Sequence, residues 1–298
     1  MRQGQPFFSI VIPTYARPSQ LATCFQSLAR LDYSRDRFEV IVVDDGSETP
    51  PEVVVASFCG QLDVKLLTQA HAGPAAARNT GAARAKGKFL AFTDDDCAPA
   101  PDWLQSLAAR FARASDCAIG GRTLNALPDN LYSTASQLLI AYLYTYYNAD
   151  SDRARFFASN NLAMPADRFH AIGGFDTTYT RTAAEDRELC DRWLHHGYRM
   201  TYAPEALVYH AHALTLRTFL RQHFNYGRGA FRFRQARAQR ARGRIRLEPF
   251  SFYLNLLLYP FSQVQGRRAL LVAALLGVSQ WANGTGFLWE WTNRIARK

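Results

Sequence analysis

Three consecutive carboxylates, Asp94, Asp95 and Asp96, follow an apolar run in KFLAFTDDDC. Like charges about 4 Å apart repel by about 1 kcal/mol in water and about 4 kcal/mol at an effective dielectric of 20, so the cluster needs either full solvation or a cation. In an extended chain Asp94 and Asp96 share one side, where hard carboxylate oxygens suit Mg²⁺ or Mn²⁺ and a diphosphate can complete the shell. A second acidic pair, Glu185 and Asp186, stands in TAAEDRELCDRW and could supply a general base for a hydroxyl proton. The helix dipole also favours acids in a first helical turn without any catalytic role. His210 closes the run EALVYH and is a third candidate ligand for a metal. A lone DxD or histidine is weak evidence, so the elements that position these residues must decide.

FFSIVIPTY is a β-branched, aromatic run that stops at a proline, and Leu21, Cys24, Phe25, Leu28 and Leu31 then recur at helical spacing behind Ser19. FEVIVVDDGS repeats the strand pattern with a near-continuous apolar stretch, as in a strand buried on both faces of a parallel sheet. A weaker helix around 51–59, the strand VKLLTQ, an alanine-rich helix over 74–85 and KFLAF extend the alternation, which predicts an α/β fold. Ligands of open parallel sheets bind outside the carboxyl ends of the strands. Pro13, Thr14, Tyr15, Arg17, Asp44 and Asp45 therefore join the three aspartates along one edge, which suits a nucleotide and a metal. Arg78 and Asn79 lie within two turns of the helix start at Gly73–Pro74, where Arg78 can reach a phosphate. PAPDWL reads only as the turn and cap of the next helix. Beyond it the pattern predicts a helix to about residue 114, a strand AIGGRTL and a long aromatic helix over 131–148. An extended FFASNNLAM, a GGFD turn, a helix over 184–196 and a strand YRMTYAPEALVYH follow. Residues 1–216 are expected to form one domain.

With 298 residues, 48% of them hydrophobic and 20% charged, the chain is globular and not a disordered tail. Five cysteines without a CxxC pair exclude a zinc-finger module and a complete disulfide framework, and they imply a reducing, cytosolic setting. MRQGQPFFSIVIPTY carries no visible export signal and no span-length apolar core. The formal net charge of +10 is concentrated: 15 of 35 basic residues but only 2 of 25 acidic ones fall within 217–298. Such a tail predicts a polyanionic partner.

PTYARP, VVDDGS, GPAAARNTG, FTDDDC, SNNLAM, GGFD, EDRELCDRW and VYH occur in the order and spacing of family 2 inverting glycosyltransferases, and the chain resembles that family over about residues 7–230. The resemblance implies a GT-A fold, a Rossmann-like mixed sheet flanked by helices. It also implies a nucleotide-sugar donor, a UDP-sugar first among them, held through Mn²⁺ or Mg²⁺. On it, Pro13, Tyr15 and Arg17 approach the base and ribose, Asp45 reads the base, and Arg78 lies near the diphosphate or base. Asp94 and Asp96 form the DxD pair, with Asp96 the direct metal ligand and Asp95 near the ribose, and Asp186 is the catalytic base. The QxxRW motif of processive members is missing. HFNYGRG instead resembles the matching segment of single-addition enzymes, with Arg228 as a diphosphate contact.

No acid interrupts 206–247, which holds ten arginines, and two blocks without charge follow, of 18 residues over 249–266 and 21 over 269–289. Polar residues crowd the second half of the latter, and its tryptophans suit an interface. Residues 217–298 are therefore expected as a basic, apolar helical extension. It would lie on the anionic cytoplasmic face of the inner membrane, with bitopic or hairpin insertion, or burial against the catalytic domain or a second subunit, as the alternatives. The aromatics sit in apolar blocks and do not alternate with the arginines, which speaks against a nucleic-acid partner. A metal-dependent nucleotidyl transferase or phosphatase is the competing enzyme class.

Overall fold

The computed structural model describes residues 4–179 and 183–295, so the outermost residues of both expected segments lie outside it. Strand β1 (Phe8–Thr14), helix α1 (Pro18–Leu28), β2 (Phe38–Asp44), α2 (Glu52–Phe58), β3 (Val64–Thr68), α3 (Pro74–Ala82) and β4 (Phe89–Phe92) alternate as the pattern predicts. β1 and β2 are buried at every position because helices cover both faces. Leu21, Cys24, Phe25 and Leu28 form the inward stripe of α1, and each fully buried leucine or phenylalanine contributes about 1.5–3 kcal/mol. Pro18 opens α1 and Pro74 opens α3 at positions where a missing N–H costs nothing.

The second half comprises β5 (Cys97–Pro99), α4 (Trp103–Arg113), β6 (Ala118–Asn125), α5 (Leu131–Tyr147), β7 (Leu162–Pro165), α6 (Ala166–Ala171), α7 (Glu185–His195) and β8 (Met200–His210). Eight strands form one sheet in the order β3-β2-β1-β4-β7-β6-β8-β5. The pairings from β3 through β4 are parallel, β7 is antiparallel to β4 and β6, and β8 runs parallel to β6. β5 corrects the expectation for the segment behind the acids. Cys97–Pro99 pairs antiparallel with β8, Cys97 opposite His210, so it is a sheet edge, and Asp102 makes no side-chain cap. Its three residues, one a proline, carry too little pattern to be seen in sequence.

The basic tail is helical and packed. α8 (Leu216–Arg240) opens on a capping box between Thr215 and Thr218, and α9 (Phe250–Leu258), α10 (Pro260–Gln263) and α11 (Arg267–Ile295) follow. α8 and α11 approach closely through Gly227 and Gly286, each set against the other helix's backbone. α11 also buries Ala269, Val272, Leu276, Ser279 and Ala282. No helix among the described residues is long and apolar enough to cross a membrane.

Half of the arginine run is also spoken for. Arg228 and Arg232 pair with Glu290, Arg234 with Glu248, and Arg237 and Arg240 with Asp191, Arg240 reaching Glu188 as well.

Candidate active site

The polar ends of β1, β2 and β4 meet at the mouth of a cavity of about 1130 Å³. Its rim holds Pro13, Thr14, Tyr15 and Arg17 after β1, Asp45 after β2, Asp94, Asp95 and Asp96 after β4, and Arg78 on α3. Glu185 and Asp186 on α7 and His210 at the end of β8 complete it. Most candidates named from sequence thus line one cavity; Asp44, which is buried and accepts from the Ser47 N–H, Asn79 and Arg228 do not.

Ala16 adopts φ +54, the left-handed region that a side chain rarely enters, and its N–H donates to Ser47 Oγ at 2.7 Å. That turn leaves Tyr15 exposed against His71, ring centroids 4.5 Å apart, an aromatic lip on which a base can stack. Asp45 is less free than the sequence suggested. Its Oδ1 accepts from Gln69 Nε2 and the Ala72 N–H, its Oδ2 from the Gly73 N–H, and His71 Nδ1 stands 2.9 Å from Oδ2. It organises the Gln69–Gly73 loop, and the loop carries the His71 ring of the Tyr15 lip.

The three aspartates part ways. The chain does not stay extended after β4: Cys97 N–H donates to the Asp94 carbonyl, closing a turn that separates Asp94 from Asp96. Asp94 Oδ1 accepts from Arg78 Nη2 at 2.6 Å. Asp95 accepts from Thr14 Oγ1 at 2.8 Å, and burial, reinforced by neighbouring Asp96, pushes its carboxyl up to about 6. Asp96 Oδ1 lies 3.2 Å from His210 Nε2, and its Oδ2 accepts from Arg17 at 3.1 Å. Burial would raise Asp96, but the His210 hydrogen bond and charge outweigh it and hold the carboxyl well below the usual range. The same bond raises His210 against its own burial.

Ligand atoms of Asp96, Cys97 and His210 lie within 4.8 Å of one another. Burial drives the Cys97 thiol far up, so it stays protonated and is a poor donor to a hard cation. The carboxylate and the imidazole fit Mn²⁺ or Mg²⁺, with oxygens of a bound diphosphate to complete the shell. Asp94, expected in that set, faces Arg78 instead. Sequence reading also missed His212, whose ring stacks on His210 at 5.0 Å and whose pKa falls to about 4 through burial and the charge of His210.

Arg78 is 2% exposed and ties the two acidic groups together, with Nη1 3.4 Å from Glu185 Oε1 and Nη2 on Asp94. Asn79, behind it, binds the Phe175 backbone through both amide atoms and fixes the GGFD turn. Glu185 Oε2 accepts from the Ala183 N–H, while Ala184 takes the left-handed φ of +69 that turns the chain into α7. Burial raises both Glu185 and Asp186 above the ordinary carboxylate range. Asp186 lines the cavity, and its Oδ1 accepts from the Arg187 N–H at 2.7 Å.

Arg228 does not line the cavity. Its guanidinium pairs with Glu290 at 2.9 Å and lies 4.3 Å from the Trp289 ring centroid. The glycines of GRG are packing residues: Gly227 sits on the Asn283 backbone and Gly229 on Ala183, so Arg228 between them faces away.

Residues 9–185 match the family model described as Glycosyl transferase family 2. The chain belongs to that family. It is 32% identical over 229 residues to the Pre-mycofactocin glycosyltransferase of Mycobacterium tuberculosis, covering 74% of this chain and 46% of that protein. It is equally similar to the Validoxylamine A glucosyltransferase of Streptomyces hygroscopicus, covering 67% and 54%. The chain thus spans about half the length of these relatives. Among solved structures, the mannosyltransferase of Pyrobaculum calidifontis in complex with GDP-Man and Mn²⁺ superposes with a TM-score of 0.65 at 19% identity, over 97% of this chain and 86% of that one. S. aureus TarS 1-349 in complex with UDP-GlcNAc gives 0.55 at 17% identity, over 97% and 92%. The fold is GT-A with a helical C-terminal extension.

Proposed function

We propose that the protein transfers one sugar from a nucleotide-sugar donor to an acceptor hydroxyl, with inversion and with a divalent cation. A UDP-sugar is the first donor to test. The observation that carries this reading is the position of Asp186 in the same cavity as Asp96, His210 and the Tyr15–His71 lip. Tyr15 and His71 stack on the base, Asp95 lies toward the ribose, and Arg17, held by Asp95 and Asp96, stays beside the diphosphate. A cation on Asp96 and His210 would neutralise charge on the departing diphosphate. Asp186 takes the proton of the acceptor hydroxyl, whose oxygen bonds to the anomeric carbon as the bond to the diphosphate breaks on the opposite face. An α-linked donor then gives a β-linked product. The exposed apolar and arginine-bearing faces of α9–α11 support work at an anionic membrane surface, in glycolipid or cell-surface polysaccharide synthesis.

A thermal-shift panel of nucleotide sugars with and without Mn²⁺ tests donor and metal together, and NMR of the product reads its anomeric configuration. Asp186→Asn should keep the metal-dependent shift and lose about 10²–10⁴ in turnover. Undiminished turnover in both Asp186→Asn and Asp96→Ala would sink the proposal.

A further inference from the structure

The cavity continues well beyond the strand ends. Its about 1130 Å³ exceeds the roughly 300–1,000 Å³ of an ordinary small-molecule site, leaving room beside a nucleotide sugar for a second ligand. Three helices wall this inner part, each with one stripe at helical spacing. α5 contributes Ser133, Ser136, Gln137, Ile140, Leu143 and Tyr147. α8 contributes Thr218, Arg221, Gln222, Asn225, Tyr226 and Ala230. α11 contributes Gln280, Asn283, Gly284, Phe287 and Leu288.

The stripes of α5 and α11 change character along their length, while α8 keeps Arg221 early and Arg234 late. Amides and hydroxyls occupy the early turns, where Gln222 Nε2 donates to Ser136 Oγ at 2.8 Å. Apolar side chains occupy the later turns of α5 and α11, and Phe252 and Tyr253 of α9 close over them. Phe252 packs against Tyr142 and Tyr146 of α5, with ring centroids 5.2 and 4.8 Å apart, so the apolar end is a built wall. Leu288 lines the cavity yet is 53% exposed, which makes the apolar end continuous with the outer face that bears Trp281, Trp289 and Trp291.

We propose that this inner chamber is the acceptor subsite and that the acceptor is an amphiphile. A hydroxylated head lies among the amides of α5, α8 and α11 within reach of Asp186, and a hydrocarbon tail runs along Ile140, Leu143, Phe252 and Phe287. A wholly polar acceptor would leave that wall wetted, whereas each methylene buried on it multiplies affinity about fourfold. The assignment rests on the glycosyl-transfer reading above, because it takes Asp186 as the base that meets the head.

The test is calorimetric titration of the full chain with methyl, butyl and octyl β-glucosides below their micelle-forming concentrations, alongside Mn²⁺-dependent donor binding in the same preparations. Octyl glucoside should bind at least about 100-fold more tightly than methyl glucoside. Gly284 lines the chamber and a Cβ there meets no atom within 4 Å, so the side chain of Gly284→Phe starts in open space. It should abolish the octyl advantage and leave donor binding intact, and Ile140→Asn should cut that advantage about tenfold or more. Equal affinity for the methyl and octyl compounds overturns the proposal. An octyl advantage untouched by both substitutions does so too, since it places the alkyl chain on the outer helical face. Absence of donor binding in the unmodified chain instead overturns the glycosyl-transfer reading itself.

Discussion

Arg78 Nη2 donates to Asp94 Oδ1 at 2.6 Å, and this contact sets Asp94 apart from Asp96 within the acidic run. Asp94 is neutralised from inside the protein, Asp96 from the cavity side by His210 and Arg17. The other arm of Arg78 reaches Glu185, so one buried guanidinium holds the turn after β4 and the start of α7 in fixed relation.

Replacing Arg78 with methionine should therefore cost more than a surface ion pair. Removing one partner of a buried pair leaves the other charge uncompensated, typically at about 3–5 kcal/mol. Urea denaturation of Arg78→Met should show a loss of that order, and activity at permissive temperature should fall with it. A change under about 1 kcal/mol would mean that the pair is solvated and does not tie the two acidic groups.

The carboxyl of Glu185 gives a pH dependence whose sign can be worked out. Burial and neighbouring Asp186 raise it to about 7, against about 4.3 in an unfolded chain. Between those values the native state keeps a proton that the unfolded state has released. The contribution is therefore fully present below about pH 4.3 and is lost as pH rises through 7. Denaturation at pH 5, 6, 7 and 8 should show Glu185→Gln losing less stability over this range than the unmodified chain. A steeper decline in the variant would contradict the raised value.

Much of this site was legible in the sequence, for a definite reason. Strands buried on both faces are near-continuous apolar runs, so their polar ends announce themselves, and Thr14, Asp45, Asp95, Asp96 and His210 were found that way. What stayed hidden depended on distant contacts or on short irregular backbone. Nothing in GPAAARNTG says that Arg78 will meet Glu185, 107 positions away. The turn that swings Asp94 from Asp96 and the three-residue β5 are too brief for any periodicity. The arginine run suggested a free cationic tail because two of its partners, Asp191 and Glu290, lie 46 to 62 residues off in sequence. Glycines in α8 and α11 gave no sign of close packing, since helical glycine is ordinarily just unfavourable.

Those glycines carry a paired prediction. A Cβ at Gly227 would lie 1.9 Å from the Asn283 carbonyl oxygen, and at Gly286 2.0 Å from that of Phe224. Both obstacles are backbone, so no rotamer change relieves them, and overpacking of this kind costs about 1–3 kcal/mol or more. Gly284→Ala, in open space on the same helix, should gain about 0.5–1 kcal/mol from helix propensity. Melting curves should order the proteins as Gly284→Ala above the unmodified chain and Gly227→Ala and Gly286→Ala below it. The two seam variants should melt several degrees lower, at about 2–4 °C per kcal/mol for a chain of this size. Equal melting of all three variants would show that α8 and α11 do not share a close seam.

The outer face of the same helices yields the last expectation. Phe250 is 81% and Trp281 70% exposed, too much apolar surface to leave in water without purpose. Arg242, Arg244, Arg246, Arg267 and Arg268 flank this face along the chain and form no ion pair among the described residues. An interfacial helix layer combines such elements, with aromatics entering the headgroup boundary and each arginine near the surface adding about 1 kcal/mol on anionic lipid. The full chain should co-sediment with phosphatidylglycerol vesicles much more than with phosphatidylcholine vesicles, and tryptophan emission should shift to the blue. Raising salt to 0.5 M, roughly a 4 Å screening length, should weaken the anionic preference but not remove the blue shift of bound protein. Phe250→Ser with Trp281→Ser should lower vesicle affinity about tenfold or more at any salt, because the hydrophobic part is unscreened. Sedimentation that ignores lipid charge, or that survives the double substitution unchanged, would leave the arginines and the aromatics without this role.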